Sequence, residues 1–309
     1  MHISVLLEEV IQNLNLKENS IIVDATLGYA GHSSEILKKI KKGKLYAFDQ
    51  DQEAIQFSKE KLNKIGQNFE IIKSNFVYMK EELKKRNITK VDGILFDLGV
   101  SSPQLDEDYR GFSFHKDAVL DMRMNQEASL TAKEVVNTYS LEELTRIFRE
   151  YGEEKYAYSI AKKIVKYREN KEIETTLELV EIIKTGVPEK YKREHHPARK
   201  VFQAIRIEVN KELDIFEHAL LDALDLINVH GRICVITFHS LEDRICKRIF
   251  KEKTEIEETL KRMPVIPEEY LPNFKIVKVI EPSSQELEKN NRSRSSKLRV
   301  IERIKWYYA

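Results

Sequence analysis

Three carboxylates close three short apolar runs in the first hundred residues. Asp24 ends Ile-Ile-Val-Asp, Asp49 ends Leu-Tyr-Ala-Phe-Asp and Asp97 ends Ile-Leu-Phe-Asp. After Asp24 the chain passes through a turn of small residues, Gly28, Ala30 and Gly31, and a helix opens at His32. Glycine lets backbone approach a ligand closely, and the amides of a helix start can face it. Asp49 stands near the roughly 20-residue interval at which an acid meets ribose hydroxyls in nucleotide-binding α/β domains. Asn75-Phe76 follows the third run, where an aromatic ring either covers an adenine face or anchors the core. Asp97 ends what reads as a central strand, at the edge where open parallel sheets bind ligands. The set points to a nucleoside-containing ligand. Asp49 has a second reading as the cap of the helix that follows, but Asp51 can take that role and free it. The turn is not the G-x-G-x-x-G dinucleotide fingerprint, since Thr26 and Ala30 stand where glycines are expected.

Strands must hold these groups. Apolar runs at 21–24, 45–49, 69–73 and 91–97 read as strands, with helical stretches at 32–41, 51–64 and 77–86 between them. Such alternation implies a parallel sheet with crossover helices. The character changes near residue 106. Residues 106–130 have little periodicity, and helices then begin at capping boxes, Thr131 with Glu134 and Ser140 with Glu143. Apolar positions recur at helical spacing over 153–168, and Thr176 precedes another helix to about Lys184. Pro197 suits the first turn of the next helix, which runs through Phe202 and Ile205 toward Ile227. The α/β pattern returns with Gly231–Phe238 and a helix to about Lys253. Two late apolar runs, 274–281 and 296–304, suit an antiparallel pair at the sheet edge. The expected architecture is therefore α/β: a Rossmann-like, methyltransferase-type sheet of five parallel strands plus an antiparallel edge pair, with an inserted helical domain. Its expected parts are residues 1–105, the helical insert 106–200, and 201–309.

Composition narrows the function. Lys and Arg number 52 against 51 Asp and Glu, so a nucleic-acid partner would have to be met by a local patch. Two cysteines, Cys234 in an apolar run and Cys246 on a helix, make neither a disulfide framework nor a Cys-rich zinc site. No cluster has metal-ligand spacing, so no metal is expected. No apolar run approaches the roughly 18 residues of a membrane span, and Glu8 and Glu9 interrupt the N-terminal apolar stretch. A cytoplasmic protein without membrane contact is expected.

Six ordered strings carry a family resemblance. They are Asp97-Leu-Gly-Val-Ser-Ser-Pro-Gln-Leu-Asp106, Arg110-Gly-Phe-Ser-Phe114, Leu120-Asp-Met-Arg-Met124, Phe202-Gln-Ala-Ile-Arg206, Phe238-His-Ser-Leu-Glu-Asp-Arg244 and Ser295-Ser-Lys-Leu-Arg299. Over essentially the whole chain they closely resemble the bacterial ribosomal RNA small-subunit methyltransferase H family, the MraW-type enzymes. The resemblance implies an S-adenosylmethionine (SAM)-dependent enzyme. Its implied substrate is the exocyclic N4 amine of one cytidine in the decoding region of 16S-type small-subunit rRNA, in rRNA or in the assembled subunit, with no DNA. It puts the SAM contacts on Ala30, Gly31, His32, Asp49, Phe76, Asp97 and Gln104, the last from the resemblance alone. Ala30 departs from the family's usual glycine. A backbone contact there tolerates alanine at negative φ, whereas positive φ would weaken binding.

For such chemistry Asp97, with the backbone of the 98–103 loop, is the candidate catalytic group. The cytosine amine is a poor nucleophile, and an acceptor aimed at its hydrogens localises the lone pair. His32 reads better as a cofactor contact than as a base. His239 reads as active-site wall or helix entry, with Ser240, Glu242 and Asp243 able to cap that helix. Lys192, Arg193, Arg199 and Lys200, and Arg292, Arg294 and Lys297, are candidate RNA phosphate contacts or solvated faces. Two competing classes fit less well. An NAD-type oxidoreductase conflicts with the turn and the late edge pair. A non-catalytic ribosome-assembly factor has no need of Asp49 and Asp97.

Overall fold

The computed structural model describes residues 4–99, 110–256 and 258–306. The chain forms two compact units, Met1–Gly99 with Leu213–Ala309, and Val100–Glu212. The first unit opens with α1 (Leu7–Asn13), β1 (Ile21–Asp24), α2 (Gly31–Lys39), β2 (Lys44–Asp49), α3 (Gln52–Asn63), β3 (Phe69–Lys73), α4 (Met79–Lys85) and β4 (Val91–Asp97). The second unit holds α5 (Ala132–Thr138), α6 (Leu141–Glu150), α7 (Ala157–Arg168), α8 (Thr176–Thr185), α9 (Glu189–Glu194) and α10 (Ala198–Asn210). The first unit is completed by α11 (Glu212–Leu226), β5 (Ile227–Thr237), α12 (Ser240–Thr254), β6 (Phe274–Ile280), α13 (Ser284–Lys289) and β7 (Lys297–Arg303).

The seven strands form one sheet in the order β3-β2-β1-β4-β5-β7-β6. Neighbours from β3 to β5 pair parallel, and β7 runs antiparallel to both β5 and β6. This is the expected sheet, with the late pair at its edge and the last strand slotted inside β6. Parallel strands covered on both faces must be apolar on both. Here the alternation is strict. Val23, Phe48, Ile94, Phe96 and Val235 face a core made with α4, α11 and α12. Ile22, Leu45, Leu95, Cys234 and Ile236 face the opposite core, made with α1, α2 and α3. With both faces filled, the carboxyl edge of the strands is the place left for polar chemistry.

In the helical unit, Thr131 and Ser140 form the expected capping boxes. Thr175, not Thr176, caps α8. Thr176 is instead buried, donating its hydroxyl to the Lys116 carbonyl and accepting the Ala118 amide, which ties the loop before it to the helix start. The helix that begins at Pro197 stops early. Lys211 adopts a left-handed conformation (φ 52°), which separates α10 from α11. Val201, Phe202 and Ile205 of α10 are buried in the core of the helical unit. The contact boundary therefore falls after Glu212 rather than at residue 200. Among the described residues no helix is long and apolar enough to cross a membrane.

Phe96 is the residue through which the sheet interior reaches the carboxyl edge. It is fully buried and meets Phe76 and Phe216 edge-on at centroid distances of 5.7 and 5.8 Å. Large-to-small truncation of such a ring leaves a cavity. Phe96→Ala is expected to lower stability by about 3–5 kcal/mol in urea unfolding. A loss below about 1 kcal/mol would mean that the ring does not anchor this edge.

Candidate active site

The β1–α2 turn is built by the carboxylates it brings together. Asp24, wholly buried, accepts the Ser33 hydroxyl at 2.6 Å and the Thr26 amide at 3.1 Å. Burial raises its pKa against those hydrogen bonds. Thr26 in turn accepts the Asp97 amide at 2.7 Å on its hydroxyl oxygen, linking the ends of β1 and β4. Asp49 accepts the Gly28 amide at 2.8 Å and the Asp51 amide at 2.9 Å, linking β2 to the same turn. Gly28 needs its freedom, with φ at 48°. Burial pushes the Asp49 pKa up to about 6 despite the two amides. Asp51, not Asp49, caps α3 by accepting the Glu53 amide. Asp49 is thus free of the cap role that competed for it.

Ala30 stands at the turn with φ at 54°, the strained of the two cases distinguished from sequence. Left-handed backbone costs an alanine roughly 1–2 kcal/mol. Its methyl is fully buried, which returns about 0.8 kcal/mol. Gly31 opens α2 where a Cβ would collide with the Ser4 side chain. The N-terminal segment therefore packs directly on the helix start.

His32 and Asp97 form the centre of the site. The imidazole is buried, with Nε2 3.0 Å from the Val5 carbonyl and Nδ1 3.4 Å from Asp97 Oδ2. A carbonyl only accepts, so Nε2 carries a proton. Nδ1 is then left to meet the carboxyl group. Burial, with Asp24 and Glu242 adding negative charge, pushes the Asp97 pKa up to about 8. A protonated Asp97 can donate from Oδ2 to a neutral Nδ1. The other oxygen, Oδ1, is covered and has no hydrogen-bond partner among the described residues. Leaving a buried acceptor unpaired costs about 1–3 kcal/mol. Such an atom, on the same sheet edge as the Asp49 carboxylate with the end of β1 between them, suits a polar ligand laid across the strand ends.

The other candidates fall as follows. Phe76 begins a 3-10 turn after the Asn75 cap and is half-buried, one side resting on Phe96. Gln104 and residues 100–103 lie outside the described residues. His239 is the cap of α12 in place of Ser240: its ring accepts the Glu242 amide, while Glu242 accepts the Phe238 and His239 amides. In the insert, Lys192 pairs with Glu189 and Lys200 donates to the Glu153 carbonyl. Arg193 and Arg199 are exposed and have no ion pair among the described residues. Arg292 and Arg294 are exposed, and Lys297 pairs with Glu281. Arg299 of the same run makes a bidentate pair with Asp243 at 2.7 and 3.0 Å and is structural. Among the described residues no group of three or more His, Cys, Asp or Glu could hold a metal. Thr26, Ser33 and Val5 bear on the site without any mark in the sequence. Only the folded register brings them to Asp24, Asp97 and His32.

The Asp97 environment has a measurable sign. Between about pH 4 and pH 8 the folded state holds a proton that the unfolded chain has lost. Stability from this group is therefore full at low pH, falls as pH rises through that window, and is level above it. Asp97→Asn removes the penalty. At pH 8 it is expected to be more stable than the wild type by up to about 5 kcal/mol, with the difference vanishing near pH 4. Parallel stability curves across this range would contradict the assignment.

Comparison with known proteins adds identity to this geometry. In fold the chain is similar to an rRNA methylase from Streptococcus thermophilus, with 13% identity, TM-score 0.43, and 97% of this chain and 93% of that one covered. It is similar also to a candidate rRNA methylase from Clostridium thermocellum, at 12% identity and TM-score 0.46, covering 98% and 100%. A third is a candidate methyltransferase from Streptococcus mutans solved with S-adenosylhomocysteine, at 14% identity and TM-score 0.43, covering 98% and 99%. The sequence pattern of one family matches residues 1–304. With that match spanning nearly the whole chain, the protein belongs to the MraW methylase family, and SAM is its methyl donor.

Proposed function

We propose that this methyltransferase modifies the exocyclic N4 amine of a specific cytidine in the decoding region of 16S-type small-subunit rRNA, acting in the cytoplasm. The observation that carries the reading is Asp97, a carboxyl at the end of the central strand with one buried oxygen unpaired among the described residues. SAM supplies an electrophilic methyl on its sulfonium when bound. Everything else is the work of the chain. Asp49, at the end of β2, suits the ribose hydroxyls. The Ala30–Gly31–His32 helix start and the exposed side of Phe76 suit the rest of the cofactor, with Gln104 completing the set by family resemblance. Asp97, once ionised, accepts a hydrogen of the incoming amine and stabilises the positive charge that develops on it. Its far oxygen, Oδ2, faces His32 Nδ1 at 3.4 Å. The target base must be unstacked to reach the strand ends.

The helical unit is assigned to reading RNA shape around the target. Arg193 and Arg199, with Lys192 and Lys200 beside them, and Arg292, Arg294 and Lys297 in the first unit, supply the phosphate contacts. A factor that merely held RNA would gain nothing from three carboxylates at one sheet edge, each with its pKa raised by desolvation. Catalysis explains why they are there.

The experiment is transfer of labelled methyl from SAM to small ribosomal subunits lacking the modification, with naked rRNA and duplex DNA in parallel and nucleoside analysis of the product. N4-methylcytidine from the RNA substrates alone is expected. Since the reactive form of Asp97 is ionised, kcat/KM should rise with pH and level off above a midpoint near 8. Asp97→Ala should lose about a hundred- to a thousandfold in kcat. Full activity in that variant, or methyl on another base, would overturn the reading.

A further inference from the structure

The helical unit carries an aromatic cluster that methyl transfer at the strand ends does not use. Phe114 sits in the loop that Thr176 ties to the start of α8, and its ring packs against three others. His115 lies tilted against it at 4.4 Å, His196 stacks on it at 4.5 Å and 30°, and buried Phe202 meets its edge at 5.7 Å. The two imidazoles also meet each other at 5.3 Å. Phe202 and Phe114 are core and half-buried, so their packing explains itself. His115 and His196 do not, because both are exposed while held against a ring.

Their surroundings are basic. His196 is followed by Pro197 and the start of α10, which places Arg199 one turn on, with its amide bonded to the His196 carbonyl. Lys190, Arg193 and Arg199 are exposed and form no ion pair among the described residues, whereas Lys184 and Lys192 pair with Glu181 and Glu189. Burial against Phe114, with positive charge from His115, Lys184 and Arg199, holds the His196 pKa below the usual histidine value and favours the neutral ring. A neutral flat ring, fixed in orientation and bordered by unpaired cations, is what an unstacked base and its phosphate require. An acidic protein would use the cations but not the oriented rings.

We propose that His115 and His196, braced by Phe114, form a stacking platform for an unpaired base of the RNA substrate, with Arg199 on the adjoining phosphate. The inference rests on the rRNA reading above and adds to it an element of the helical unit that engages RNA. Stacking of one base is worth enough to shift affinity by about five- to a hundredfold.

The test is steady-state methyl transfer to unmodified small ribosomal subunits by the full-length protein. The wild type is compared with His115→Ala/His196→Ala and with His196→Phe, and S-adenosylhomocysteine binding is measured for each. The double variant should raise KM for the subunits by about tenfold or more. Its kcat at saturation and its S-adenosylhomocysteine affinity should stay within about twofold. His196→Phe, which keeps a flat ring and removes the nitrogens, should remain within about threefold of wild type in KM. An unchanged KM in the double variant, with wild type active, overturns the platform alone. A raised KM in His196→Phe as large as in the double variant also overturns it, because hydrogen bonding rather than stacking would then be at work. A wild type inactive on every RNA overturns the rRNA reading and the platform with it.

Discussion

An aspartate that is costly to ionise stands where the sheet ends, and the rest of the first unit is arranged around it. Asp97 lies among Asp24, Glu242 and the His32 ring, with its backbone amide given to Thr26 and one carboxyl oxygen given to nothing described. A fold selected only for stability would replace it with asparagine. Retaining it means that stability is exchanged for a group whose charge changes near neutral pH, which is the usual relation between a strained functional site and its scaffold.

The scaffold can carry that cost because its two apolar faces are complete. Strict alternation along β1, β2, β4 and β5 fills one core with α1, α2 and α3 and the other with α4, α11 and α12. Polar side chains are thereby confined to the strand ends. The β1–α2 turn then connects them: Gly28 ties to Asp49, Thr26 to Asp97, and Ser33 to Asp24. Ser4 and Val5 close the back of the turn against Gly31 and His32, so the N-terminal segment is part of the site although it precedes the first strand. Arg299 shows the opposite use of charge. Its bidentate pair with Asp243 fastens β7 to α12 and holds the edge pair in place.

Much of this was legible in the chain. The strands read clearly because each parallel strand is a short apolar run bounded by turn residues, and because three of them end in a carboxylate. The capping boxes at Thr131 and Ser140 read clearly because both partners are local. What did not read was whatever depends on neighbours distant in sequence or on an unusual residue in a familiar role. His239 caps α12 through a ring nitrogen, and histidine is not among the preferred caps. Thr175 takes the cap from Thr176 because Thr176 is drawn into the Lys116–Ala118 loop. Lys211 ends a helix in a left-handed conformation that glycine normally supplies, so nothing in the pattern announces the break. The pairing of Thr26 with Asp97 and of Val5 with His32 exists only once the register of the sheet is set.

The central claim is that the ends of β1, β2 and β4 form one cofactor site organised by Asp97. A crystal structure with S-adenosylhomocysteine, grown above pH 8 so that Asp97 is ionised, tests it most directly. The account predicts the ligand across those three strand ends, its ribose oxygens within hydrogen-bond distance of the Asp49 carboxylate, and a polar partner for Asp97 Oδ1. A ligand bound elsewhere, with that oxygen still unpaired, would contradict it.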